Sequence, residues 1–308
     1  MRYTIDPGRK ENTITVIDNI VFSRVKDTEG NDMELKLSVT ADFGNSEMMA
    51  LRTGKIPTEG AKMRPCMIWF NGSGWRGAEK NMQLADLVYL AKAGYALVCA
   101  DYRSSAKGHF PDQIIDAKTA VRFMRANASR YGIDPDRIGV FGRSAGGQIA
   151  CLVGLNDGKY ISDEYADVPS DVQAVYDMFG PNDLYSAAKE HMQMEEDGTL
   201  EKNTGRWKTI WDCHEGAVLG GERETLLERA KEFSPVYHVT GKNAPTLIMH
   251  GDADPLVPMK RSEEYYDILC ENGVEADLYI VKNGGHGSPE FFQEETKQVV
   301  LQWLKEHL

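Results

Sequence analysis

The sequence predicts an α/β fold: a mostly parallel central sheet, helices on both faces, and a cap-like insertion before the penultimate strand. Three observations predict it. Apolar runs of strand length recur at Cys66–Phe70, Ala96–Ala100, Ile138–Phe141, Ala174–Phe179, Thr246–His250 and Ala276–Val281. Near-continuous runs of this kind read as strands buried on both faces, as in a parallel sheet. Most gaps between them carry helical periodicity, and strand–helix alternation places helices on both sheet faces. The rhythm then stops once, between Gly180 and Pro235.

Each element has a local reason. Residues 14–40 alternate polar and β-branched side chains around Glu29-Gly30-Asn31-Asp32, which predicts an antiparallel hairpin. Ile114, Ala117, Val121, Met124 and Ala128 recur at 3, 4, 3, 4 spacing between Pro111 and Gly132. That is one helix face with a proline start and a glycine stop. Val299, Val300, Trp303 and Leu304 form a last stripe that should dock on the sheet. The segment 181–235 is charged, with Tyr185, Met192, Met194, Trp207 and Trp211 scattered through it. A long insertion between sheet strands usually covers something, so we read residues 1–308 as one domain with a cap at 181–235.

The 308 residues are 42% hydrophobic and 27% charged, enough for a sizeable core. A net charge of −12 argues against nucleic acid and anionic membrane as partners. Five separated cysteines without a CxxC pair fit a reducing compartment. The first residues show no apolar signal region, and no run approaches the ~20 apolar residues of a membrane span. The expectation is a cytoplasmic protein, with a homo-oligomer left open.

The chemistry starts at "IGVFGRSAGGQIA", residues 138–150. A chain leaving a buried strand for a helix in one tight turn crowds its neighbours. Gly142 and Gly146 make the space, and Ser144 stands at the strained apex with its hydroxyl exposed. The amides of the following helix favour negative charge there. A serine hydroxyl needs a base. In hydrolases built on such a turn, an acid and then a histidine follow in the chain. After the last plausible acid only His286 and His307 remain. His307 is penultimate, whereas His286 lies in "KNGGHGSPE" directly after a predicted strand, so His286 is the expected base. "HGDADPLVP" offers Asp252 and Asp254 as the acid, and spacing does not choose between them. His250 precedes the acid and reads as structural.

Acyl transfer also needs donors for the developing oxyanion. The Ala145 amide is one, and the loop "NGSGWRG" after Phe70 should supply the other, with Ser73 and Gly74 the nominated residues. The same loop matches a dinucleotide fingerprint at Gly72, Gly74 and Gly77, with Asp101 as the ribose-binding acid. Against that reading, Trp75 and Arg76 are bulky where pyrophosphate would approach. Ala78, Glu79 and Lys80 make no clean helix start, and Ser144, Asp254 and His286 are left without a role.

Taken together, "NGSGW", "ADYR", "FPDQIIDAKTAVRFMRANASRYGIDPDRIGVFGRSAGG", "SPVYHVT", "HGDADPLVP" and "GGHG" resemble the α/β-hydrolase esterases related to acetyl (xylan) and feruloyl esterases, over residues 65–290. The resemblance implies the α/β-hydrolase fold and a serine esterase. It implies Asp254 rather than Asp252 as the acid, and acetylated or feruloylated carbohydrate, here imported fragments, as substrate. The family's loop begins His-Gly-Gly, where this chain has Asn71, Gly72 and Ser73, so any bracing by that histidine must come from Asn71 or elsewhere. Trp75, Arg143, Trp207 and Trp211 are candidate substrate contacts, with core packing the alternative for the tryptophans. An arylformamidase acting on N-formylkynurenine, which uses a similar loop and triad, is the runner-up enzyme, and a non-enzymatic binder on a hydrolase scaffold is a further class. No cofactor is called for. No His, Cys and carboxylate group shows ligand spacing, so no metal is expected. Arg103 in "DYRSS" is expected to pair with a nearby acid.

Overall fold

The computed structural model describes residues 1–6, 8, 13–53, 55, 62–77 and 79–308. Its centre is an eight-stranded sheet. The strands are β1 (Thr15–Lys26), β2 (Asp32–Ala41), β3 (Arg64–Phe70), β4 (Ala96–Ala100), β5 (Ile133–Arg143), β6 (Ala174–Met178), β7 (Thr246–Gly251) and β8 (Ala276–Val281), in the order β1-β2-β4-β3-β5-β6-β7-β8. The expected hairpin is β1–β2, closed by pairing of Lys26 with Asp32, and β2 pairs antiparallel with β4. From β4 to β8 every pairing is parallel.

Burial on both faces shows in β3. Cys66, Ile68 and Phe70 join the core under helices Asp112–Ala126 and Ala145–Val153. Met67 and Trp69 join the core on the other face, under helices Leu84–Lys92 and Glu294–His307. Each fully buried large apolar side chain contributes about 1.5–3 kcal/mol. Val300, Trp303 and Leu304 dock as expected. The Ile114–Ala128 stripe is buried, but its helix breaks at Asn127 before a short turn that ends on Gly132 at φ 62°. Asn127 Nδ2 donates to Phe123 O at 2.9 Å there, a local alternative to the next helical bond. Arg103 pairs with buried Asp116 at 2.8 Å.

One strand differs from expectation. β8 is the sheet edge and alternates half-buried with exposed residues; Tyr279 and Ile280 are each 43% exposed. It pairs with β7 on one side only, so its apolar composition does not report burial on both faces.

Helices Leu184–Glu196, Leu200–Thr204, His214–Leu219 and Leu226–Glu232 fill the insertion. Among the described residues, no helix is long and apolar enough to cross a membrane.

Candidate active site

The carboxyl ends of the parallel strands gather the chemistry-bearing residues, as open α/β sheets dictate. Ser144 follows β5 at φ 51° and ψ −126°, a region a non-glycine residue rarely adopts. Its surroundings impose the turn. A Cβ on Gly142 would stand 2.3 Å from Gly146 O, and one on Gly146 would stand 2.0 Å from Phe70 O. Helix Ala145–Val153 starts directly behind the serine.

His286 comes from the loop after β8. Its Nδ1–H donates to Asp254 Oδ2 at 2.7 Å, which leaves Nε2 to accept the Ser144 hydroxyl at 2.9 Å. The structure therefore joins three side chains separated by up to 142 positions. It also chooses between the two acids. Asp254 Oδ1 accepts the amides of Leu256 at 2.8 Å and Val257 at 3.0 Å, whereas exposed Asp252, among the described residues, accepts only the Asn283 amide. Buried His250 lies 3.3 Å from Asp254 Oδ2 and is itself held by Ser262 and the Val257 carbonyl. Burial pushes the Asp254 carboxyl up. The bonds from His250 and His286, then those from the Val257 and Leu256 amides, outweigh it and hold the group well below the usual carboxylate range. Phe179, at φ 47° just past β6, packs its ring 4.7 Å from that of His286. No sequence signal marked Phe179 for this place.

The glycine loop after β3 lies against the turn. A Cβ on Gly72 would meet Arg143 O at 2.3 Å. Among the described residues, the amides of Ser73, Gly74 and Ala145 donate to no other group, so all three remain available. Asn71 supplies the bracing. Its Nδ2 donates to Glu79 O at 3.1 Å, its Oδ1 accepts from Arg143 Nε at 3.1 Å, and its carbonyl accepts from Tyr102 at 2.7 Å. Helix Leu84–Lys92 begins seven residues beyond Gly77, so the loop does not open onto a helix N-terminus as a dinucleotide fingerprint requires. Ala78, part of that argument, lies outside the described residues.

A cavity of about 780 Å³ opens over Ser144, roofed by the insertion. Arg143 and Trp207 border it as expected. Trp75 borders it too, although the residue is 3% exposed, its indole donates to Gln148 at 3.3 Å and its ring packs 5.9 Å from Phe233. One expected contact is corrected. Trp211 does not border the cavity and is 39% exposed, because a short 3-10 turn, Ile210–Asp212, directs Ile210 inward instead. The sequence also missed His214. Its ring sits so close to Gly74, at φ 60°, that a Cβ there would come within 2.4 Å of Nδ1. That Nδ1 accepts from Arg76 Nε at 3.1 Å, and the ring stands edge-on to Trp207 at 5.1 Å. Burial and the Arg76 charge push the His214 pKa down, with Arg206 adding to them. Folding of the insertion brings His191, Cys213 and Glu215 together.

A family model, BD-FAE, matches residues 55–269, well over half of the chain. The chain belongs to the BD-FAE family. BD-FAE is thus an esterase family of the α/β-hydrolase fold related to acetyl and feruloyl esterases, as the motifs implied. Among curated relatives, the probable carboxylic ester hydrolase LipM of Mycobacterium tuberculosis is 29% identical over 70% of this chain and 47% of its own. The isoprenylcysteine alpha-carbonyl methylesterase ICME of Arabidopsis thaliana is 26% identical over 75% of this chain and 52% of its own. The chain spans about half the length of the curated relatives it matches. Among solved structures, a truncated carbohydrate esterase from gut microbiota superposes with a TM-score of 0.74, at 26% identity, covering 97% of this chain and 98% of its own.

Proposed function

We propose that this BD-FAE chain is a serine esterase that removes acyl groups from acetylated or feruloylated carbohydrate. One observation carries the reading: a strained serine hydroxyl bonded at 2.9 Å to an imidazole that is itself bonded at 2.7 Å to a buried carboxylate. In the first step Ser144 Oγ attacks the ester carbonyl as its proton passes to His286 Nε2. The Ala145 amide and the Ser73–Gly74 amides receive the charge that develops on the carbonyl oxygen; each such donor is worth about 3–4 kcal/mol. His286 then gives its proton to the departing alcohol, and the acyl group stays on Ser144. Water, deprotonated by the same imidazole, releases the acid and restores the serine. Asp254 fixes the Nδ1–H tautomer and stabilises the imidazolium.

Three things support a carbohydrate alcohol. Among its apolar residues the cavity wall carries Glu190, Asn203, Thr204, Arg206 and Arg261, polar side chains that can hydrogen-bond the hydroxyls of a sugar. Trp207 offers an aromatic face beside these groups. One solved structure covered almost end to end is named a carbohydrate esterase.

A substrate panel tests the reading: acetylated and feruloylated xylo-oligosaccharides, 4-nitrophenyl acetate and butyrate, and N-formylkynurenine. The sugar esters should give the highest kcat/KM. Faster turnover of N-formylkynurenine would replace this reading with an arylformamidase, and binding of sugar esters without turnover would leave only a binding module.

A further inference from the structure

Three side chains that ester cleavage does not use meet in the insertion. His191 lies on helix Leu184–Glu196, and Cys213 and Glu215 flank the start of helix His214–Leu219. An imidazole nitrogen, a thiol sulfur and a carboxylate oxygen, one from each, all lie within 4.8 Å of one another. His191 Nδ1 is 3.2 Å from Glu215 Oε1. Cys213 and Glu215 are both more than nine-tenths buried.

The hydrogen bonding around the cluster is incomplete. His191 Nδ1 and Glu215 Oε2 are both buried, and among the described residues neither has a hydrogen-bond partner. Buried polar atoms are nearly always satisfied, and an unsatisfied pair side by side marks a place for an ion or a water. Among the described residues the Cys213 thiol donates one weak hydrogen bond, to Thr209 O at 3.6 Å. That carbonyl already accepts the Asp212 amide at 3.0 Å and does not depend on the thiol. An ion pair between His191 and Glu215 accounts for the 3.2 Å contact, but it leaves Oε2 bare and gives Cys213 no part.

We propose that His191, Cys213 and Glu215 bind a divalent transition-metal ion of the zinc type, which ties the two insertion helices together in the cavity wall. One nitrogen, one sulfur and one oxygen donor suit a borderline ion such as Zn²⁺ or Co²⁺. Ca²⁺ and Mg²⁺ take oxygen ligands and would reject this set. On binding, the Cys213 thiol loses its proton to solvent as the metal–thiolate bond forms; nothing is oxidised or reduced. Three protein ligands leave one tetrahedral position for water. His191 and Glu215 border the cavity, which is the entry path. The proposal does not depend on the ester-cleavage reading.

Cobalt titration of the full chain, stripped with a chelator and dialysed, tests it. The expected result is one Co²⁺ per chain with tetrahedral visible bands and a thiolate-to-cobalt charge-transfer band in the near ultraviolet. Cys213→Ser should abolish the charge-transfer band, and the near-isosteric Glu215→Gln should weaken Co²⁺ binding at least tenfold. Cys270→Ser, which removes the exposed cysteine, should change neither. Zn²⁺ should displace Co²⁺ and raise the Tm of the wild type but not of Glu215→Gln. Circular dichroism checks that each variant folds, and Glu215→Gln decides the matter if Cys213→Ser does not. Saturating Co²⁺ without a charge-transfer band would overturn the site. Equal Co²⁺ affinity in the wild type, Cys213→Ser and Glu215→Gln would also overturn it, leaving an adventitious ion and a simple His191–Glu215 ion pair.

Discussion

Around Ser144 the neighbours are backbone. Gly142, Gly146 and Gly72 each stand where a Cβ would come within about 2.3 Å of a carbonyl oxygen of another residue in the turn or its neighbouring loop. Across the same cavity, residues 181–235 contribute short helices whose side chains meet one another: His191 with Glu215, His214 with Trp207, Arg223 with Glu195 at 2.6 Å. The first region is specified by steric exclusion and tolerates almost no change. The second is specified by pairwise contacts, each replaceable at modest cost. On the proposed reading the turn holds the reaction chemistry, and the insertion is where specificity can be altered without loss of the fold.

This contrast can be broken or sharpened by mutation. The largest effect expected is from Ser144→Ala: kcat/KM on any accepted ester should fall at least about 10,000-fold with an unchanged circular dichroism spectrum. Substantial residual turnover would mean the turn is not the reacting centre. Next comes Gly146→Ala, whose methyl collides with rigid backbone; urea unfolding should show a loss of about 3 kcal/mol or more. A stable Gly146→Ala protein would show that the turn can relax, against the steric account.

Asp254 gives the third test, through pH. Its carboxyl is depressed in the folded state, so it stabilises the fold at any pH above its unfolded value near 3.9. That contribution fades as the pH falls below 3.9 toward the lower folded value. Asp254→Asn should cost about 2 kcal/mol at pH 7, and the gap to wild type should narrow by pH 3, read from urea midpoints at both pH values. A gap that stays constant would deny the carboxylate its ionised role.

Two insertion variants complete the series. Trp207→Ala should raise KM for carbohydrate esters about tenfold, or about 1.4 kcal/mol, and change 4-nitrophenyl acetate turnover less than about twofold. Equal effects on both substrates would argue that Trp207 packs rather than binds. Trp211→Ala, off the cavity and partly exposed, should stay within about 0.5 kcal/mol of wild type and leave KM unaltered.

Six apolar runs became six strands, and the glycines around Ser144 announced its turn, because both signals are carried by neighbouring residues. His286 was reachable by chain order and elimination. Asp254 was separable from Asp252 only by family resemblance, since the deciding amides of Leu256 and Val257 depend on how the loop after β7 closes. The exposure of β8 was hidden for a similar reason: its composition matches the inner strands, and only its place in the sheet order leaves one side open.

Strand, turn and helix followed from the sequence by itself, because steric limits on the backbone and the period of apolar residues act within a few positions. Which tryptophan faces the cavity, which acid holds the imidazole, and that His191 meets Cys213 and Glu215 were decided only in the tertiary structure. Those outcomes depend on the relative placement of segments tens to more than a hundred residues apart, and that placement comes from burying the two faces of the sheet and the inner side of the insertion together.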